Sequence, residues 1–249
     1  KKTGGLRPLL CGSIWRRCAA RLVSDCTREA SHKYFTNTYP NYMQCAGGLQ
    51  DGATRCAQLL NMLHDLPTEG QDPDDPIAFI NTDIAAAFQE MCRQTTFDTL
   101  SGRATKYYDG GRVKPGDAIP TIAALGPFHG YFRAMRSTAS VNRYVDHRGR
   151  THRVKGTTGG QQGDGMEMTC FSLSQHPTIG RVFERHPDAR GAGFADDLTI
   201  YAALLTALKV LAELRLRLGE DTNLRYNMGK LKIYIPYVNS PPGFFRNCY

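Results

Sequence analysis

Residues 194–201 read Phe-Ala-Asp-Asp-Leu-Thr-Ile-Tyr, a pair of aspartates with alternating apolar residues on both sides. Alternation with a period of two is typical of β-strands. The segment therefore predicts two short strands joined at Asp196–Asp197. Taken alone, an Asp-Asp turn is weak evidence for a site, because aspartate is common in turns for conformational reasons.

A third carboxylate ends another predicted strand. The apolar run Ile77-Ala78-Phe79-Ile80-Asn81-Thr82 leads directly into Asp83. If this strand neighbours the Asp196–Asp197 turn, the three carboxylates converge and repel one another unless a hard cation enters. Two Mg²⁺ ions held in this way could activate a primer hydroxyl and stabilise a leaving pyrophosphate.

The rest of the chain alternates helical and extended patterns without a regular strand-helix-strand repeat. We therefore expect an α+β sheet with helices packed on one face, rather than a Rossmann fold. The predicted helices cover residues 14–30, 51–64, 85–100 and 204–218, the last one stopped by Gly219, and the further strands cover a hairpin within 144–154 and residues 232–238.

Composition limits the class of protein. The 249 residues are 41% hydrophobic and carry a net charge of +8. A basic surface attracts polyanions, but charge alone leaves nucleic-acid binding and a merely solvated face equally open. The eight cysteines form no C-x-x-C pair, and no stretch approaches the length of a transmembrane span. We expect no signal peptide. We expect a nuclear or cytoplasmic protein that is neither secreted nor membrane-bound.

Five motifs, in order, resemble those of reverse transcriptases from non-LTR retroelements. They are Leu6-Arg7-Pro8-Leu9 followed by Arg16-Arg17, the segment Phe79 to Phe88, the string Gln161-Gln162-Gly163-Asp164 with His176-Pro177, the hairpin Phe194-Ala195-Asp196-Asp197, and Asn227-Met228-Gly229-Lys230-Leu231-Lys232. The resemblance implies a polymerase palm, with an antiparallel sheet and helices on one face, plus partial fingers and no thumb. It places the partial fingers lobe at 1–75, and at 76–249 the palm with a fingers insertion.

The same resemblance assigns a metal site. Asp83 and Asp196 would be the principal ligands of two Mg²⁺ ions, or Mn²⁺, with Asp197 supporting them and Ile84 contributing its carbonyl. Phe88 would lie beneath the incoming sugar and leave no room for a 2′-hydroxyl. A core aromatic residue is the alternative interpretation of Phe88.

Four further residues are implied in substrate handling. Arg7 would bind the triphosphate, Gln162 and Gly163 would line the nucleotide pocket, and Lys230 would neutralise or protonate the departing pyrophosphate. A surface ion pair is the alternative for Arg7 and Lys230. The expected partners are an RNA template, a DNA primer and dNTPs, and the oligomeric state is left open.

Three other functions are alternatives to this hypothesis. A viral RNA-dependent RNA polymerase usually has an acidic residue where Phe88 stands and Gly-Asp-Asp rather than Ala-Asp-Asp. The Gly-rich loop lacks the Gly-Lys-Ser/Thr ending of a P-loop, which disfavours an NTPase. A non-catalytic, nucleic-acid-binding retroelement remnant stays open.

Overall fold

Two β-sheets organise the computed structural model. It describes residues 14–236 apart from 49, 66–71, 73, 137–139, 157 and 161–163. Within these residues the strands are β1 (Tyr42–Gln44), β2 (Ile77–Asp83), β3 (Ser140–Val145), β4 (Thr151–Gly156), β5 (Arg190–Phe194), β6 (Asp197–Ala203) and β7 (Lys232–Tyr234). Strands β3 and β4 form a separate hairpin, and the other five form one sheet.

Seven α-helices lie in the described part of the chain. They are α1 (Ile14–Asn37), α2 (Gly52–His64), α3 (Ala87–Glu90), α4 (Arg93–Ser101), α5 (His129–Arg136), α6 (Glu167–Arg185) and α7 (Leu204–Thr222). No helix in the described part of the chain is long and apolar enough to cross a membrane.

The larger sheet has the strand order β1-β5-β6-β2-β7. Its pairs are antiparallel, except that β1 runs parallel to β5. The predicted α+β class is confirmed, with a mixed rather than wholly antiparallel sheet. Strand β1 joins this sheet from the segment predicted as a fingers lobe, and the domain boundary at residue 75 stays a prediction.

The main core lies between the sheet and helices α6 and α7. Ile80 and Ile200 are fully buried against residues such as Phe183 of α6 and Leu214 of α7. Burying a side chain of this size stabilises the fold by about 1.5–3 kcal/mol. Phe79 points to the opposite face, where it packs near His64 of α2. Helix α2 therefore covers part of the second face.

Helix α6 is buried along most of its length, although it contains Pro177. Proline has no N–H group, so the carbonyl of Leu173, one turn earlier, loses its helical donor. The hydroxyl of Thr99 on α4 lies 3.1 Å from that carbonyl and 3.0 Å from the carbonyl of Thr95, and it shares its single hydrogen between them. This tertiary contact takes the place of the missing helical hydrogen bond and ties α4 to α6.

Three predicted helix boundaries are wrong. The helix expected over 85–100 is divided into α3 and α4, and helix α1 continues past residue 30 to Asn37. Gly219 does not stop α7, which continues to Thr222 and ends at Asn223 in the left-handed conformation (φ 61°). The predicted hairpin near 144–154 and the strand that ends at Asp83 are confirmed.

Candidate active site

The paired aspartates lie at a turn between β5 and β6, next to the end of β2. Asp83 and Asp197 are register partners across the β2–β6 pair. Asp196 is joined to the same strand end through its main chain, because the amide of Ile84 donates to the carbonyl of Asp196 at 3.3 Å. The three predicted carboxylate residues therefore meet at one end of two neighbouring strands.

Lys230 reaches the same place from the segment after α7. Its ammonium group donates to both carboxylate oxygens of Asp83, at 2.8 and 2.9 Å. The amide of Asn227 donates to the carbonyl of Asp83 at 2.7 Å, which holds the segment in position. The side chain of Lys230 is 54% exposed, so the ion pair opens to solvent.

The electrostatics of the cluster are those of crowded carboxylates. Burial raises the pKa of Asp197, and the negative charges of Asp196 and Asp83 raise it further. The positive charge of Lys230 acts in the opposite direction. A cation placed among these groups would relieve the repulsion.

The donor set has the chemistry of a hard-cation site, since carboxylate oxygens are the ligands that Mg²⁺ prefers. Yet the described residues include no group of three or more His, Cys, Asp or Glu side chains arranged to hold a metal ion. Both oxygens of Asp83 bond Lys230 instead. Metal ligation by Asp83, Asp196 and Asp197, and by the carbonyl of the buried Ile84, stays a prediction.

Phe88 is only partly buried and packs against the core through Phe171, with ring centroids 4.7 Å apart. Its carbonyl accepts a hydrogen bond from the amide of Gly160 at 2.7 Å. Phe88 is therefore attached to the loop that precedes the Gln161–Asp164 motif. Its contact with sugar stays a prediction.

The start of this loop depends on Gly159. Its φ is +66°, and a Cβ there would lie 2.3 Å from the carbonyl oxygen of Gln89. Any larger residue would push the loop away from α3. Gln162 and Gly163, as well as Arg7, lie outside the described residues, and their predicted roles are not tested.

Asp164, at the end of the motif, has a structural role. One carboxylate oxygen accepts from Arg16 Nε and Nη2 at 2.9 and 2.7 Å. The other accepts from the amide of Met166 at 2.9 Å, at the N-terminus of α6. The side chain is 3% exposed, so this residue fastens α1 to α6.

Comparisons with known proteins agree with this architecture. No protein-family model matches the chain, and no curated protein matches it. Among solved structures, telomerase from Candida albicans in complex with the TWJ fragment of telomeric RNA is similar, with a TM-score of 0.55 and 12% identity. The similarity covers 89% of this chain and 36% of that telomerase chain.

Telomerase from Candida tropicalis gives the same result. An apo form truncated from the C-terminal domain has a TM-score of 0.53 and 13% identity, over 90% of this chain and 41% of that one. The fold is reverse-transcriptase-like. At this identity the similarity concerns the fold alone, and the chain spans about two-fifths or less of the telomerase chains.

The reverse-transcriptase-like fold also holds its Asp-Asp turn with two glutamines that the sequence analysis missed. Ala195, just before the turn, has φ +57°. Its amide donates to Gln44 Oε1 at 3.1 Å, and its carbonyl accepts from Gln44 Nε2 at 3.3 Å and Gln175 Nε2 at 2.8 Å. Both glutamines are 1% exposed. Sequence patterns could not reveal this contact, because Ala195 lies 151 positions after Gln44.

Proposed function

We propose that this chain is the core of an RNA-directed DNA polymerase of the non-LTR retroelement type. The reaction would transfer nucleotides from dNTPs to the 3′-hydroxyl of a primer. The observation that carries the proposal is the register pairing of Asp83 with Asp197, beside Asp196 and Lys230, in a reverse-transcriptase-like fold. The retroelement type is supported by the five motif strings.

The carboxylates would hold the metal ions that this chemistry uses. Bound Mg²⁺ or Mn²⁺ would neutralise phosphate charge and lower the pKa of the primer hydroxyl. Asp83 and Asp196 would be its principal ligands, Asp197 a supporting one, and Ile84 would offer its carbonyl. The raised pKa of Asp197 supports this assignment, because crowded carboxylates favour an added cation.

The neighbouring residues would bind and orient the substrate. Lys230 would leave Asp83 and place its positive charge near the departing pyrophosphate. Phe88 would exclude a 2′-hydroxyl from the sugar position. Arg7 would bind the triphosphate, and Gln162 and Gly163 would line the nucleotide pocket.

An RNA template is the expected partner. The similar Candida albicans telomerase was solved with a fragment of telomeric RNA, and the net charge of +8 suits a polyanion. A DNA primer and dNTPs complete the proposed set of partners.

The test is extension of a DNA primer on an RNA template with Mg²⁺ or Mn²⁺. We expect the wild type to extend with dNTPs in preference to NTPs, and Asp196→Asn to reduce extension to background. Asp188→Asn, an exposed aspartate in the turn before β5, is the matched control and should retain activity. Phe88→Val should raise the use of NTPs relative to dNTPs.

Two results would contradict the proposal and indicate a different function. A wild-type preference for NTPs would indicate an RNA-dependent RNA polymerase. Binding of the template-primer without extension, and equal in the wild type and Asp196→Asn, would indicate a non-catalytic remnant.

A further inference from the structure

The β3–β4 hairpin forms a two-stranded sheet of its own. Its turn is ordered by Asp146, whose Oδ1 accepts from the amides of Arg148 and Arg150 at 2.8 and 3.0 Å. An aspartate bonded in this way to the following backbone fixes the turn. The turn between the two strands therefore has a fixed backbone conformation.

The base of the hairpin is fastened beside the candidate site. Arg93, at the start of α4, donates to the carbonyls of Gly159 at 2.6 Å and of Gly156 and Thr158 at 3.3 Å. The next amide, of Gly160, donates to the carbonyl of Phe88. The hairpin thus leaves the body of the protein next to the residue proposed to contact the nucleotide sugar.

The hairpin is the most basic element of the chain. Residues 140–156 contain five arginines and lysines and one aspartate, a net charge of +4, which is half of the chain's +8. Asp146 is already bonded to His152 at 2.9 Å and lies 3.7 Å from Arg150. Arg148, Arg153 and Lys155 have no ion pair within the described residues.

Two of the positive charges lie on the exposed face of β4. Along β4, Thr151, Arg153 and Lys155 are exposed, while the intervening His152 is half-buried. Successive side chains of a strand point to opposite faces, so Arg153 and Lys155 lie on the same face of β4.

We propose that the exposed face of β4, together with the turn that precedes it, binds the sugar-phosphate backbone of the nucleic acid that enters the candidate active site beside Phe88. This inference rests on the proposed polymerase function. Exposed arginine and lysine side chains on a strand suit phosphate groups, and such contacts do not depend on base sequence. The hairpin would hold the strand without selecting it.

The test is equilibrium binding of a labelled single-stranded RNA over a series of salt concentrations, followed by fluorescence anisotropy. Each phosphate contact contributes about 0.7 to the slope of log affinity against log salt for a single strand. The double variant Arg153→Gln, Lys155→Gln should therefore reduce that slope by about 1.4. The reduction should be the same for RNAs of different sequence.

The matched control is Arg112→Gln, Lys114→Gln, which removes the same charge from two exposed residues of another loop. We expect the control to keep the wild-type slope. A second hairpin variant, Arg148→Gln, Arg150→Gln, should lower the slope as well, which covers misfolding of the first. An unchanged slope in both hairpin variants, or an equal loss in the control, would overturn the inference.

Binding and extension separate the two proposals. If the hairpin variants bind RNA with the reduced salt slope while the wild type extends no primer, the hairpin inference stands and the polymerase proposal fails. If the wild type extends primers and the hairpin variants bind with the wild-type slope, the reverse holds.

Discussion

At the scale of single residues, His176 couples the stability of the fold to pH. The side chain is fully buried in α6, with the rings of Tyr34, Phe35, Tyr39 and Tyr42 about it at centroid distances of 5.0–5.2 Å. This burial lowers the pKa of His176 from 6.5 to about 3. The folded protein therefore keeps the imidazole neutral where the unfolded chain would protonate it.

Stability should fall as the pH drops below about 6.5, because the unfolded state then binds one more proton than the folded state. The contribution of His176 at pH 5 is a loss of about 2 kcal/mol relative to pH 7. Urea unfolding at both pH values measures it. His176→Phe should remove this part of the difference, and the exposed His147→Gln should keep it. The same difference in His176→Phe as in the wild type would contradict the assignment.

The identity of the site residues was the feature best predicted from the sequence. The three aspartates and Lys230 were identified from motif strings, and the structure brings them together. Asp164 was identified only as the last residue of the Gln161–Asp164 motif, and its carboxylate bonds Arg16 and the amide of Met166 at the start of α6. A motif gives the identity of a residue but not the partner that satisfies its charge, since that partner lies 148 positions away.

At the scale of elements, the Asp-Asp turn depends on Gln44 and Gln175, and the two have different expected effects. Gln44→Met leaves the amide of Ala195 without its acceptor, whereas Gln175→Met removes only one of two donors to the carbonyl of Ala195. A buried donor left unpaired costs about 1–3 kcal/mol. Gln44→Met should therefore be the more destabilising and should lower the rate of primer extension more.

Amide hydrogen exchange tests this difference without any assay of activity. The amide of Ala195 should exchange faster in Gln44→Met and at nearly the wild-type rate in Gln175→Met. Gln94→Met is the control, because its amide group bonds Asp98 and Thr105 near α4 rather than the turn. Unaltered protection of Ala195 in Gln44→Met would show that the turn holds its shape by itself.

Helix boundaries were predicted less well because tertiary hydrogen bonds decide them. The predicted helix over 85–100 breaks at Met91 and Cys92. The carbonyl of Met91 accepts from the amide of Gly159, and the amide of Cys92 donates to the carbonyl of Thr222. Helical periodicity reports which side chains are apolar, and it contains no information about such distant backbone partners.

At the scale of the whole molecule, the motif resemblance implied the palm, whereas the hydrophobic pattern predicted an α+β sheet with Asp83 at one strand end and Asp196–Asp197 between two strands. It could not predict the parallel pairing of β1 with β5, because β1 has only three residues. Nor could it predict how the loop of residues 102–120 is attached. That attachment consists of charged side chains from three separate segments.

A buried ionic network joins this loop to α6 and α7. Asp221 accepts from the amide of Asp109 at 2.9 Å and from the hydroxyl of Thr178 at 2.8 Å. Arg181 lies 3.7 Å from Asp221, and Arg185 donates to Asp109 at 2.8 Å. Burial raises the pKa of Asp221, so the network holds this carboxylate against a desolvation penalty.

Asp221→Leu should therefore destabilise the whole fold, because it leaves the partly buried Arg181 with less compensating charge and the amide of Asp109 unpaired. Removing one partner of a buried ion pair costs about 3–5 kcal/mol. Urea unfolding gives the loss of stability, and limited proteolysis should show earlier cleavage within residues 102–120. Asp117→Asn is the control, since this exposed side chain bonds only the amide of Lys114 among the described residues and should cost about 1 kcal/mol at most. Wild-type stability in Asp221→Leu would mean that apolar packing alone holds the loop against α6 and α7.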